Sequence, residues 1–217
     1  GFKLILLRSK MATKQATNSN ITLQGSAAMV AEYFNYCINS ILYTRGVYDP
    51  DTFSAVKKYG LRMQITNDEG LKGYIQTVMS QLQAWLQTGQ IKKLVVVITS
   101  IDTEEVMERW GFNVETDEKT LEGKTKSQEK SEKEIQKEIA AVLRQLTQAV
   151  SFLPLLDCPC TFDLLVYTAA DLAVPQQWEE SDPRYIAKSN QVRFRSFSTK
   201  IHKVETSVAY KAEADED

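Results

Sequence analysis

A few residue groups in this sequence have the types and spacing that chemistry requires. Cys158-Pro159-Cys160 sets two thiols two residues apart. Two thiolates would begin a zinc site, but zinc takes four ligands, usually as C-x2–4-C pairs. The remaining cysteine, Cys37, falls on an apolar helix face, so all three are read as small inert side chains. His202 is the one histidine, and any His-activated nucleophile would depend on it. It lies in a strand candidate, and no G-x-S-x-G turn supplies a partner. It is read as a hydrogen-bonded or half-exposed strand residue. Gly123-Lys124-Thr125 imitates the end of a phosphate-binding loop, but position 118, where the motif opens with Gly, is Glu118. The carboxylate pairs Glu104-Glu105 and Glu179-Glu180 lie in loop sequence and read as solvated charge. No catalytic residue, metal site or cofactor is expected.

Composition narrows the class further. The chain has 217 residues, enough for one large domain or two small ones. Lys and Arg total 26 against 28 Asp and Glu, a net charge of −2. That balance argues against a nucleic-acid binder, which shows a basic excess or stripe, and gives no support for a polybasic membrane anchor. Three cysteines are an odd count and no disulfide framework, so a reducing compartment is the simpler reading. No stretch approaches the ~18–20 apolar residues of a membrane span. The opening GFKLILLRSK lacks a full signal-peptide core and cleavage site. Residues 1–10 are read as an extension outside the folded unit, 1–20 as a flexible segment, and 212–217 as an acidic tail.

Helical spacing is clear in three places. Residues 26–44 carry Val30, Phe34, Cys37, Ile38 and Ile41 on one face, with Ser26 as the cap and Arg45-Gly46 as the stop. Residues 68–88 repeat the pattern at Leu71, Ile75, Val78, Leu82 and Trp85, capped by Asn67 or Asp68. Ser131 with Glu134 forms a capping box ahead of Ile135, Ile139, Val142, Leu143 and Leu146, and Pro154 ends the run. Between them, residues 91–99 read as a strand buried on both faces and 106–115 as an alternating strand. Residues 116–130 hold one large apolar side chain, Leu121, and read as a solvated loop. Strand candidates at 160–168, 191–199 and 201–211 complete an α+β layer, three long helices packed on a mostly antiparallel sheet. Terminal strands pair through backbone bonds that another extended chain can replace. A sheet that merely completes the fold is the plainer alternative.

Several blocks, in order, carry a resemblance. They are ITLQGSAAMVAEYFNYCINSILYTRGVY (21–48), KKYGL (57–61), LVVVI with ERWGF (94–98 and 108–112), KEIQKEIAAVLRQL with FLPLL (133–146 and 152–156), FDLLVYT (162–168), VPQQWEESDP (174–183) and RSFSTKIHKV (195–204). Together they resemble the HORMA-domain family, in its single-domain spindle-checkpoint branch. The resemblance implies a non-enzymatic switch over residues 21–211, with a mobile C-terminal safety belt from about 170 to 211. In the open form the C-terminal strands cover one sheet edge. In the closed form they move to the other side, a partner peptide adds a strand at the vacated edge, and the belt wraps it.

The same resemblance assigns residues. Phe162, Asp163, Leu164, Leu165, Val166, Tyr167 and Thr168 would receive the peptide, with Trp178 in the crossing part of the belt. Ile201, His202, Val204, Val208 and Tyr210 would change edge. Leu23 would help hold the open form, and Trp85 would be covered by the relocated strands, although its helical phase also suits plain core packing. Arg144, Gln145 and Phe152, with Arg45 nearby, would join an open copy to a closed one. The implied partners are the anaphase-promoting complex activator and a coiled-coil kinetochore anchor of the Mad group. An adaptor and an AAA+ ATPase would reopen the protein. Nucleus, kinetochore and cytoplasm are the implied locations. The alternative is a HORMA adaptor of a translesion DNA polymerase or of the meiotic chromosome axis.

Overall fold

A computed structural model describes residues 21–121, 130–170, 172, 174–176, 178 and 180–212. The expected flexible start, residues 213–217 of the acidic end and Gly123-Lys124-Thr125 lie outside the described residues.

Helix α1 spans Leu23–Thr44, three residues earlier than its apolar period predicts. Leu23-Gln24-Gly25 carries little periodic signal, but Thr22 caps the helix by accepting the Gly25 amide at 3.0 Å. Ser26 therefore lies inside the helix, where its hydroxyl serves another purpose. Strands β1 (Phe53–Lys58) and β2 (Leu61–Thr66) form a hairpin that the sequence reading lacks. Its two-residue loop, Tyr59-Gly60, has φ of 51° and 72°, the primed turn that matches strand twist. Tyr-Gly is a weak form of that signal, and the flanking residues are mostly polar. Helix α2 (Glu69–Gln87) is capped by Asp68, which accepts the Leu71 amide at 2.7 Å.

Strands β3 (Ile91–Ser100) and β4 (Val106–Thr116) follow. A single helical turn, α3 (Glu118–Leu121), occupies the start of the region expected to be loop. Helix α4 (Glu132–Gln148) begins at the complete capping box. The Ser131 hydrogen bonds hold the Glu134 carboxyl below its ordinary range. Strands β5 (Cys160–Thr168), β6 (Ser189–Ser198) and β7 (His202–Lys211) complete the chain.

The main sheet is antiparallel throughout, in the order β5-β3-β4-β7-β6. β3 is an interior strand of it, and every residue from Leu94 to Ile98 is 0% exposed, as a strand covered on both faces requires. Leu94, Val96 and Ile98 face the helix layer and join its core. Helix α1 lies on that face, flanked by α2 and α4. Tyr33 and Phe34 meet Phe112 with ring centroids 6.0 and 5.6 Å apart, and Tyr33 meets Phe197 of β6 at 4.8 Å. Burying each such side chain stabilises the fold by about 1.5–3 kcal/mol. Val204 and Val208 of β7 are fully buried in the same core, so β7 is integral to it.

Candidate functional site

The topology leaves β5 at one margin of the sheet. It pairs with β3 on one side, and among the described residues no strand pairs with its outer edge. An edge strand carries unpaired N–H and C=O groups, a template for another extended chain. Phe162, Asp163, Leu164, Leu165, Val166, Tyr167 and Thr168 all lie on it, each partly buried.

The segment after β5 does not leave this edge bare. A cavity of about 500 Å³ runs between Leu164–Thr168 and the following chain, with Leu172, Val174 and Trp178 on its far wall. A second, of about 360 Å³, shares Leu164, Leu165 and Trp178 and extends to Tyr74 and Val78 of α2. Burial and the Asp163 carboxylate push the Tyr74 hydroxyl up, so it stays a neutral phenol at the groove wall. At one end Trp178 packs edge-on against Trp85, centroids 5.1 Å apart. At the other, Arg184 ion-pairs with Asp163. The next residue, Tyr185, lies over the guanidinium of Arg109 at 4.7 Å, and Arg109 donates to the Tyr167 hydroxyl at 3.3 Å. Asp163, Val97 and Arg109 stand opposite one another on β5, β3 and β4. Directly opposed residues share a face, so the chain crosses the sheet on the side away from α1. Arg109, Arg184 and Tyr185 were missed in the sequence, because nothing local marks Arg184 and Asp163, 21 residues apart, or Arg109 and Tyr167, 58 apart, as neighbours.

Ile201, His202, Val204, Val208 and Tyr210 are at the opposite side of the sheet, where β7 pairs with β4. His202 is 0% exposed. Its Nε2 donates to the Leu86 carbonyl at 3.0 Å, which leaves Nδ1 to accept from Ser26 Oγ at 2.6 Å. Ser26 and Thr199 hydroxyls are 2.6 Å apart, and Thr199 Oγ1 accepts the His202 amide at 2.9 Å. One imidazole thus ties β7 to both α1 and α2. Burial lowers its pKa despite the opposing Leu86 hydrogen bond, so it is held neutral. Trp85 is 5% exposed, and the ring that meets it is Trp178 of the crossing segment. Leu23 opens α1 and is partly buried.

The expected dimer residues do not all share a surface. Arg144 is exposed and Phe152 is 45% exposed. Gln145 accepts the Arg195 amide of β6 at 2.7 Å. Arg45, expected near that contact, is buried instead. Its guanidinium pairs with Glu108 at 2.6 Å, both side chains 2% exposed, and donates to the Pro154 carbonyl. Glu108 also accepts the Trp110 indole N–H at 2.9 Å. The signal for this pair is visible in retrospect. Position 108 falls on the core-facing side of the β4 alternation, and an acid there needs a partner.

Among the described residues no three His, Cys, Asp or Glu converge as a metal-ligand set, and no helix is long and apolar enough to cross a membrane.

A HORMA domain model matches residues 26–202. The chain belongs to the HORMA-domain family. It is 55% identical to the mitotic spindle assembly checkpoint protein MAD2A of Dictyostelium discoideum over 94% of this chain and all of that one. It is 52% identical to the human MAD2A protein over 93% of this chain and 98% of the relative. Among solved structures, a chain of the mitotic checkpoint complex superposes with a TM-score of 0.77 at 44% identity, covering 87% of this chain and 99% of that one. The Caenorhabditis elegans protein HTP-2, bound to a HIM-3 closure motif, shares the fold with a TM-score of 0.68 at 12% identity. The resemblance read from the ordered sequence blocks and the α+β fold expected from it both hold.

Proposed function

We propose that this protein is a non-enzymatic conformational switch of the spindle assembly checkpoint, which captures an extended peptide by strand addition along Phe162–Thr168. The observation that carries this reading is the outer edge of β5, with which no strand pairs among the described residues, beneath a crossing chain that Arg184, Tyr185 and Trp178 anchor. A peptide strand in that space would satisfy the outward backbone groups of β5, and the aromatic and aliphatic walls would select its side chains. The folded domain is 21–211, with the belt from about 170 to 211. The placement of β7 beside β4, away from β5, corresponds to the closed form, in which the receiving edge is free.

The clients are the anaphase-promoting complex activator and the coiled-coil kinetochore anchor of the Mad group, which places the protein in the nucleus, at kinetochores and in the cytoplasm. The names of the curated relatives and the checkpoint complex among the structural matches support this assignment over the translesion alternative. A DNA polymerase zeta subunit of Schizosaccharomyces pombe matches at only 28% identity. Arg144 on α4 and Phe152 beyond its end, both exposed, form the contact between open and closed copies, with Gln145 at its rim. An adaptor and an AAA+ ATPase reopen the belt.

Enclosure by a belt makes release slow, because dissociation waits on belt opening. A fluorescent peptide with a basic residue, two aliphatic residues and a downstream proline tests this. Slow release into excess unlabelled peptide, accelerated by Trp178→Ala with Arg184→Ala, supports capture. Fast release that the double variant leaves unchanged overturns it.

A further inference from the structure

Cys158 and Cys160 take no part in the groove, yet they are not two independent thiols. Their sulfurs are 3.9 Å apart, and the Cys160 thiol donates to the Cys158 carbonyl at 3.3 Å. Residues two apart on an extended chain point to one face, with Cα atoms about 6.6 Å apart at the usual strand rise. That lies just inside the roughly 4.4–6.8 Å that a disulfide spans. Both residues are partly exposed, so a small oxidant can reach them, whereas Cys37 is fully buried.

The pair also has a defined place in the fold. Cys160 is the first residue of β5, in register with Ser100 of β3. The Pro159 carbonyl accepts the Ile101 amide at 2.9 Å. Arg45 holds the Pro154 carbonyl upstream. The two sulfurs therefore lie at the turn that feeds the sheet's free edge strand.

We propose that Cys158 and Cys160 are a reversible redox pair, a modification site at the root of β5 whose oxidant is a small disulfide of the glutathione class. The Cys158 thiolate, its proton lost to solvent, attacks one sulfur of the small disulfide. That S–S bond breaks, and one small thiolate leaves and takes up a proton. Cys160 then gives up its proton and attacks the Cys158 sulfur. The mixed disulfide breaks, and the second small thiol departs. Two protein thiols are oxidised and one small disulfide is reduced to two thiols. Burial, then the neighbouring Cys158, push the Cys160 thiol up to about 12, which leaves the first attack to Cys158.

The test uses the full-length protein in buffers of increasing glutathione disulfide fraction, quenched with an alkylating agent and digested for mass spectrometry. The expected result is a peptide bearing residues 158 and 160 that loses two hydrogens, takes no label, and regains both labels after dithiothreitol. Cys37 is labelled only on denaturation. Cys158→Ser abolishes the internal bond, and circular dichroism of this variant verifies the fold. Two labelled thiols at every ratio, or a separate glutathione on each sulfur, would overturn the proposal. This readout involves no peptide client, so its outcome is independent of the capture reading.

Discussion

Arg184, on the segment that crosses the sheet, closes an ion pair with Asp163 on the edge strand it crosses, and so fastens one end of the groove. Both side chains are about two-fifths exposed, at 39% and 44%. Water and salt screen such a pair, and its worth is about 0–1 kcal/mol. It is a clasp that opens readily, not a structural bolt. Arg184→Ala or Asp163→Asn therefore leaves the unfolding midpoint nearly unchanged. Peptide release from either variant is faster by roughly twofold to fivefold, the range that about 0.5–1 kcal/mol gives. Stopped-flow release at low and high salt checks this. The wild-type rate should rise with salt toward that of the variants, and a salt-independent difference would count against the clasp.

Trp178 fastens the other end by packing on Trp85. An aromatic pair contributes about 0.5–1.5 kcal/mol beyond the area it buries. Trp178→Ala accelerates peptide release by about tenfold, and Trp178→Phe restores most of the slow phase. Equal rates for the Ala and Phe variants would show that the ring contact does not hold the belt.

The Arg45–Glu108 pair is of a different kind, because both charges are buried. Removing one leaves an uncompensated charge in the core and costs about 3–5 kcal/mol. Arg45→Met should lower stability by that amount in urea unfolding. Adding Glu108→Leu should recover much of the loss, because the second change removes the stranded carboxylate. A double variant as unstable as the sum of the single ones would argue that the pair is not coupled.

His202 sets a pH dependence whose sign follows from its burial. Its folded pKa is lowered, so the unfolded chain binds a proton that the folded one does not. The contribution is fully present above the unfolded value of about 6.5 and is lost as pH falls below it, by at most about 1.4 kcal/mol per pH unit. The carboxyls of Glu134 and Glu205, held low by hydrogen bonds to Ser131 and Lys203, titrate further down and leave this window clear. Unfolding at pH 7.5, 6.5 and 5.5 should show the slope, and His202→Gln should flatten it. A slope that survives the substitution belongs to other groups.

How far the sequence reached is clearest along individual elements. The Ser131–Glu134 box, the apolar stripes of α1, α2 and α4, and the doubly buried β3 were legible because each is a local matter of period and capping. The β1–β2 hairpin was not, since its loop is Tyr59-Gly60 and the residues next to that loop are mostly polar. The groove was legible only through the order of its blocks. Phe162–Thr168 and Trp178 stood out, but Arg184, Tyr185 and Arg109 did not.

The sequence by itself determined the three long helices and the strands of the main sheet and which faces they bury, because those follow from side-chain spacing against a fixed helical or pleated period. Tertiary structure decided partners. Backbone hydrogen bonding is the same for any two strands, so nothing local tells β7 to pair with β4 and leave the outer edge of β5 free. That choice rests on contacts made across the chain, such as His202 on Ser26 and Leu86, and Tyr33 on Thr206. Arg45 likewise read as a helix stop and, by resemblance, as a residue near a contact between copies, and only the fold brought Glu108 to it.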